Sequence, residues 1–387
     1  MNRIGWVGLV VVLGVTGVTL AGAETDEALR ATMRGVHDRL AALLPLAASH
    51  EPLDESEREE FGRRLADLRE VASKLDGHGA SRDAGFRYLA STLEDDLAAP
   101  ELRWQYGEES SARYAVLDAT SNCVACHSRL PQGTAPSIAS SFEQHFASDS
   151  TTAQERAQLL VATRQFDRAL TAWESVLRDP EIPPAEIDVG GYLLDYLTIA
   201  LRVVGDLERP LPVLRALAAR ESTPRYFRRY LEQWIAELED LATRPVPSDR
   251  LAAARALEQE SRHGSGRERM VVDLQTSAWL LQAIEQDELS PPQQAEAFYL
   301  LGLVESRNVE GYWVPQTDAH LEAAVRLDPG GPHAGHAYDL LEEWLITGYA
   351  GFDGNELPEA LENRLRSLLT LMEAEYVPPK SESSEAD

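Results

Sequence analysis

Apolar residues return every three or four positions along most of this chain, and no other feature limits its fold so tightly. Leu29, Met33, Val36, Leu40, Leu43, Leu44 and Ala47 share one face of a helix with 3.6 residues per turn. The pattern predicts a first helix from about Asp26 to Ala47. A second starts after Pro52, where Asp54 and Glu57 have the spacing of a capping box. Its stripe is Phe61, Leu65, Leu68, Ala72 and Leu75, and the turn Asp76-Gly77-His78-Gly79 ends it. A third helix carries Phe86, Leu89, Leu93 and Leu97 and is expected to stop at Pro100. A fourth begins near Ser110, keeps Leu117, Ser121, Val124 and His127 in register, and ends before Pro131. No segment alternates with period two for long enough to predict a strand. The expectation is an all-α chain in which residues 24–132 form an antiparallel four-helix bundle.

Residues 133–151 are rich in Pro, Gly, Ser, Thr and Ala and read as a linker. A second helical block follows over residues 152–376. In the stretch AQERAQLLVATRQFDRALTAWESVLRDP, Ala157, Leu160, Ala169, Trp173 and Val176 fall at the small and large positions of a helix–turn–helix hairpin. Phe298, Leu301, Gly302, Leu321, Ala324 and Pro329 do the same further on. Small residues let two helices approach, aromatics fill the groove between hairpins, and proline ends the second helix. On those residues the block resembles the tetratricopeptide repeat family, which implies an α-solenoid. The pattern degenerates between Asp188 and Thr243. Residues 377–387 carry no apolar period and are expected to be disordered.

Charge and the N-terminus narrow the setting. The 387 residues hold 36 Lys and Arg against 64 Asp and Glu, a net charge of −28. That balance argues against nucleic acid as a partner, because a phosphate backbone is neutralised by clustered cations. Residues 1–23 have Arg3 as their only charge, an apolar run from Ile4 to Leu20, and the small-residue site Ala21-Gly22-Ala23. This order describes a signal peptide cleaved after Ala23. It predicts an exported, periplasmic protein with no membrane span left after cleavage. The alternative is an uncleaved anchor.

The chain has only two cysteines, and both sit in Cys123-Val124-Ala125-Cys126-His127. C-x-x-C-H is the attachment sequence of c-type haem. Two thiols three residues apart can add to the two vinyl groups on one edge of a porphyrin. The adjacent histidine then lies under the ring and gives a nitrogen to iron. A zinc site would need about four ligands, and no second cysteine pair exists. A thioredoxin-like pair expects a βαβ setting. A disulfide at this spacing would close only a tiny loop. One covalent haem c, with His127 as proximal ligand, is the expectation.

No Met occurs between His127 and Met270, which excludes an axial Met following the motif within one domain. The motif instead ends the fourth helix of the expected bundle. On CVACH and that helix order, residues 24–132 resemble the class II c-type cytochromes, cytochrome c′ and its cytochrome c556 relatives. The resemblance implies that a Met early in the first helix reaches the iron. Met33 is the one Met in that region, with His37 one turn on as second candidate. Without either, the resemblance implies five-coordinate iron. It also leaves room for a homodimer through the bundle. Arg30, Arg34, Arg113 and Arg129 could meet haem propionates, though solvated arginines are the plainer reading. His50 and His78 sit at helix ends or turns and read as solvated, His145 follows the linker with nothing to draw it back, and His263 and His320 belong to the second block. His333 and His336 have a spacing that would suit a metal, but they share a polar loop.

Three functions compete at this point. The first is electron transfer, with the repeats docking a redox partner. The second is gas binding or sensing of NO or CO at an open iron position. The third is a periplasmic repeat scaffold with a structural haem. No nucleophile–base pair, H-E-x-x-H or phosphate loop points to an enzyme.

Overall fold

The computed structural model describes residues 16–48, 52–75, 84–129, 153–260, 266–286, 288–307, 316–349 and 357–375. The expected linker 133–151, the tail 377–387, the turn 76–79, residues 1–15 of the signal segment, and His50, His78, His145 and His263 lie outside the described residues. Among the described residues every regular element is helical. No helix among them is long and apolar enough to cross a membrane. The chain divides into two compact units, Met1–Arg82 with Leu93–Val116, and Asp83–Thr92 with Leu117–Asp387. This division departs from the expected partition at residues 133–151, because residues from Leu117 onward group with the second unit.

In the first unit, α1 (Thr16–Ala48) packs on α2 (Glu55–Ala72). The expected apolar faces are buried from Val36 to Ala47 on α1 and at Phe61, Leu65, Leu68 and Ala72 on α2. The Asp54 carboxylate accepts the Glu57 N–H at 2.9 Å, and the Glu57 carboxylate accepts the Asp54 N–H at 2.9 Å. This closes the capping box that the spacing predicted. Gly35 marks the close approach of the two helices, since a Cβ there would lie 3.1 Å from Val71 Cγ1. Glu109 accepts the Leu53 N–H at 3.0 Å and pairs with Arg58 at 2.8 Å. The Leu53 bond first, then Arg58, holds its carboxyl below the usual range.

Three helix boundaries differ from the sequence expectation, the first being α1, which begins at Thr16 instead of near Asp26. The third helix, α3 (Ala84–Gln105), runs through Pro100 instead of stopping there. An interior proline costs about 3 kcal/mol. Continuing the helix sets Trp104 on the Phe61 ring, with centroids 4.6 Å apart. It also lays Trp104 over Gly62, where a Cβ would meet Nε1 at 2.7 Å. The helix ends one turn later on Gly107, at φ 77°. There Glu108 N–H donates to the Arg103 carbonyl at 2.9 Å and Gly107 N–H to Trp104 at 3.0 Å.

The fourth helix is broken at Ala119 into α4 (Glu109–Asp118) and α5 (Thr120–Arg129). The run Asp118-Ala119-Thr120-Ser121-Asn122 offers side chains that compete for backbone groups. Thr120 Oγ1 donates to the Leu117 carbonyl at 2.6 Å, and Asn122 Nδ2 to the Ala119 carbonyl at 3.4 Å.

The second unit holds α5 and all later helices, which pack largely in successive pairs. These are α6 (Ala153–Ala162) with α7 (Phe166–Arg178), then short α8 (Pro184–Val189) and α9 (Tyr192–Leu197), which leads into a π-helical segment (Thr198–Val204). Next come α10 (Pro210–Ala219) with α11 (Arg225–Thr243), α12 (Arg250–Glu260) with α13 (Met270–Gln286), α14 (Pro291–Glu305) with α15 (Thr317–Leu327), and α16 (Ala334–Tyr349) with α17 (Glu359–Glu375). Ala157, Leu160, Ala169, Trp173 and Val176 are all buried, as a hairpin reading requires. Gly302 faces Leu321 so closely that a Cβ would lie 2.5 Å from Leu321 Cδ2. Charge is also buried here. Arg269 (3 % exposed) and Asp273 (1 %) pair at 3.0 Å, beside Glu258 and Arg307.

Gly302→Ala should force Leu321, itself fully buried, off its packing. Overpacking of this kind costs about 1–3 kcal/mol, readable from denaturant unfolding. Burial pushes the Glu237 carboxyl up to about 7 from an ordinary 4.5, with Asp273 adding to the rise against a hydrogen bond from Gln233. The folded chain then keeps a proton that the unfolded chain releases, so stability falls as pH rises from about 4.5 through 7. Glu237→Gln should melt above wild type at pH 8, with the gap closing below about pH 4.5.

Candidate functional site

Helix α5 is short and its two sides differ. Val124 and Ala125 are each 1 % exposed, and Val124 lies in the core with Leu160, Val161, Leu197 and Leu201. Helix α5 packs on α6 and on the π segment. Cys123, Cys126 and His127 stand at i, i+3 and i+4, which places them together on one helical face. All three are partly exposed, and neither cysteine is in a disulfide. Cys123 keeps part of its surface open, yet its sulfur is packed deeply enough that burial, with a smaller push from Cys126, takes the thiol up to about 12.

His127 is oriented by a backbone group. Its Nδ1 bonds the Ala162 carbonyl at the C-terminal end of α6. A carbonyl can only accept, so Nδ1 carries the proton, and in the neutral ring Nε2 holds the lone pair. The Ala162 carbonyl is one of the last four of its helix, which have no partner within the helix. A hydrogen bond of this kind is how ligating histidines are usually fixed in tautomer and direction. Two thiols three residues apart, neither in a disulfide, and an Nδ1-anchored histidine fit the donor set that haem c requires.

The turn that presents Ala162 is tight. Gln165 N–H donates to the Leu160 carbonyl and Arg164 N–H to the Val161 carbonyl, each at 2.8 Å. This pairing needs a left-handed residue, usually glycine. Here the residue is Arg164, at φ 61°. Among the described residues it is the one non-glycine with positive φ. The conformation costs roughly 1–2 kcal/mol for a residue with a Cβ. Its guanidinium is half-buried and lies 5.8 Å from the Phe166 ring centroid. Burial lowers its proton affinity, and the Cys126 sulfur and the Glu285 carboxylate oppose that.

The remaining candidates fall elsewhere. Met33 and His37 lie on α1 in the first unit, while Cys123, Cys126 and His127 lie in the second. Met33 is partly buried, and His37 Nδ1 is 3.3 Å from the Asp38 carboxylate. Arg30 and Arg34 are exposed. Arg113 is buried and is engaged with the Ala47 carbonyl at 3.4 Å and Glu109 at 3.5 Å. The side chain of Arg129 lies outside the described residues. His320 is wholly buried, 3.1 Å from the Glu305 carboxylate. His333 stacks on Tyr299 at 5.2 Å, and His336 lies on α16. Among the described residues no group of three His, Cys, Asp or Glu is placed to hold a metal ion. Sequence reasoning missed Ala162 and Arg164. Ala162 contributes a carbonyl that any residue would supply, and Arg164 stands where glycine would have marked the turn. No family model, curated protein or solved structure matches the chain.

The buried Cys123 thiol should react slowly. In the folded, haem-free chain, iodoacetamide at pH 8 should label Cys123 roughly tenfold or more below its rate in urea. Peptide mass spectrometry reads this, and equal rates would contradict the burial described.

Proposed function

We propose that this chain is an exported mono-haem c-type cytochrome that transfers electrons, with its helical pairs serving to dock a redox partner. The observation that carries the reading is the His127 Nδ1 bond to the Ala162 carbonyl, on the helix face that also presents Cys123 and Cys126. When bound, the haem supplies an iron that cycles between ferrous and ferric states. Cys123 and Cys126 would hold it covalently. His127 would give Nε2 to iron, with its ring direction set by Ala162. Val124 and Ala125, both buried, anchor the helix in the core.

The finer architecture belongs to the same proposal. Residues 24–132 are read as a class II-like four-helix bundle and residues 152–376 as a tetratricopeptide-like solenoid. Met33 is proposed as sixth ligand on the resemblance alone, with His37 second. The net charge of −28 suits a partner with a basic surface and favours fast, salt-sensitive association. Cleavage after Ala23 would place the mature chain in the periplasm, where haem c is attached.

The test is spectroscopic. The mature chain, expressed with haem-attachment machinery, should keep its haem through acid-acetone extraction, and Cys123→Ala with Cys126→Ala should lose it. A low-spin spectrum with a Met–iron charge-transfer band, abolished in Met33→Ala, supports electron transfer through a six-coordinate iron. A high-spin spectrum that changes at once with CO would replace electron transfer by gas binding. Absence of covalent haem in the wild type would end the haem reading.

A further inference from the structure

We propose that Arg164 is a tuning residue of the haem site: a fixed positive charge, held by the turn that also orients His127, that biases the iron toward its ferrous state. The inference rests on the haem reading of the same face. Arg164 lies outside residues 24–132, in the first helical pair of the second unit, so the resemblance to class II cytochromes does not supply it.

Three independent features place the charge. The first is the backbone. The Ala162 carbonyl that receives His127 Nδ1 and the left-handed Arg164 belong to one turn, closed by the Arg164 and Gln165 N–H bonds. Rigid coupling through two residues ties the position of Arg164 to that of the proximal ligand. The second is the choice of residue. Glycine takes φ 61° without strain, whereas arginine pays for it. Strained positions of this kind cluster at ligand clamps and active sites. The third is the guanidinium itself. It is half-buried against the Phe166 ring, and its turn is the one that also receives His127. Glu285 on α13 is the carboxylate that faces it.

The direction of the effect follows from charge. Oxidation adds one positive charge at the iron, and a nearby cation opposes that addition. Partial burial keeps the interaction from being screened as it would be in water. Removing Arg164 should therefore lower the reduction potential, and removing Glu285 should raise it. Glu285 is exposed, so its effect should be the smaller and the more sensitive to salt.

The experiment uses the full mature holoprotein. Midpoint potentials are measured by spectroelectrochemistry for wild type, Arg164→Gln, Arg164→Lys and Glu285→Gln, with far-ultraviolet circular dichroism on each. Arg164→Gly serves as the fold control, because it relieves the strained backbone while removing the charge. The expected result is a lower potential in Arg164→Gln and Arg164→Gly, a value near wild type in Arg164→Lys, and a higher one in Glu285→Gln. Equal potentials in wild type, Arg164→Gln and Arg164→Gly would overturn the proposal. So would a shift in Arg164→Lys as large as that in Arg164→Gln, since it would show geometry at work instead of charge. Failure of the haem reading looks different, because the wild type itself would carry no covalent haem to titrate.

Discussion

Val124 is 1 % exposed inside the apolar core of the second unit, and the whole candidate site depends on that burial. Burying a side chain of this size contributes roughly 1.5–3 kcal/mol. It commits α5 to pack on α6 and the π segment. With Val124 and Ala125 in that core, Cys123, Cys126 and His127 share the adjoining face of the helix. The end of α6 is then near enough for its last carbonyls to meet the His127 ring.

The second unit manages two costs to hold this arrangement. Helices brought close need small residues at the contact, and Gly302 against Leu321 is the clearest case. Buried charges need partners, and Arg269 with Asp273 and Glu258 shows how they are met. A buried pair of this kind is weak evidence for stability, because desolvation offsets much of the attraction. The π segment beside α5 is a further departure from regular helix, of a sort found often at functional sites.

Most helix faces were readable from sequence. Phe61, Leu65, Leu68 and Ala72 repeat with the helical period and are buried as expected. The Asp54–Glu57 capping box was equally plain, since it is local. Boundaries were less readable where a distant contact outweighed a local rule. Pro100 is a helix stop in isolation, but the Trp104–Phe61 contact carries α3 past it. The reverse holds at Ala119, where polar side chains broke a helix whose apolar register continues through Val124.

The sequence by itself determined the helical class and the chemistry of the motif. A 3.6-residue period admits little else, and C-x-x-C-H carries its donor types and their spacing along the chain. Only the tertiary structure decided which other groups join them. The Ala162 carbonyl has no sequence signature, because a backbone acceptor is common to every residue and becomes specific only by position. Arg164 carries none either, because glycine is the residue that usually marks such a turn. Periodicity and spacing are properties of one chain segment, whereas orientation and electrostatic field come from segments that only folding brings together.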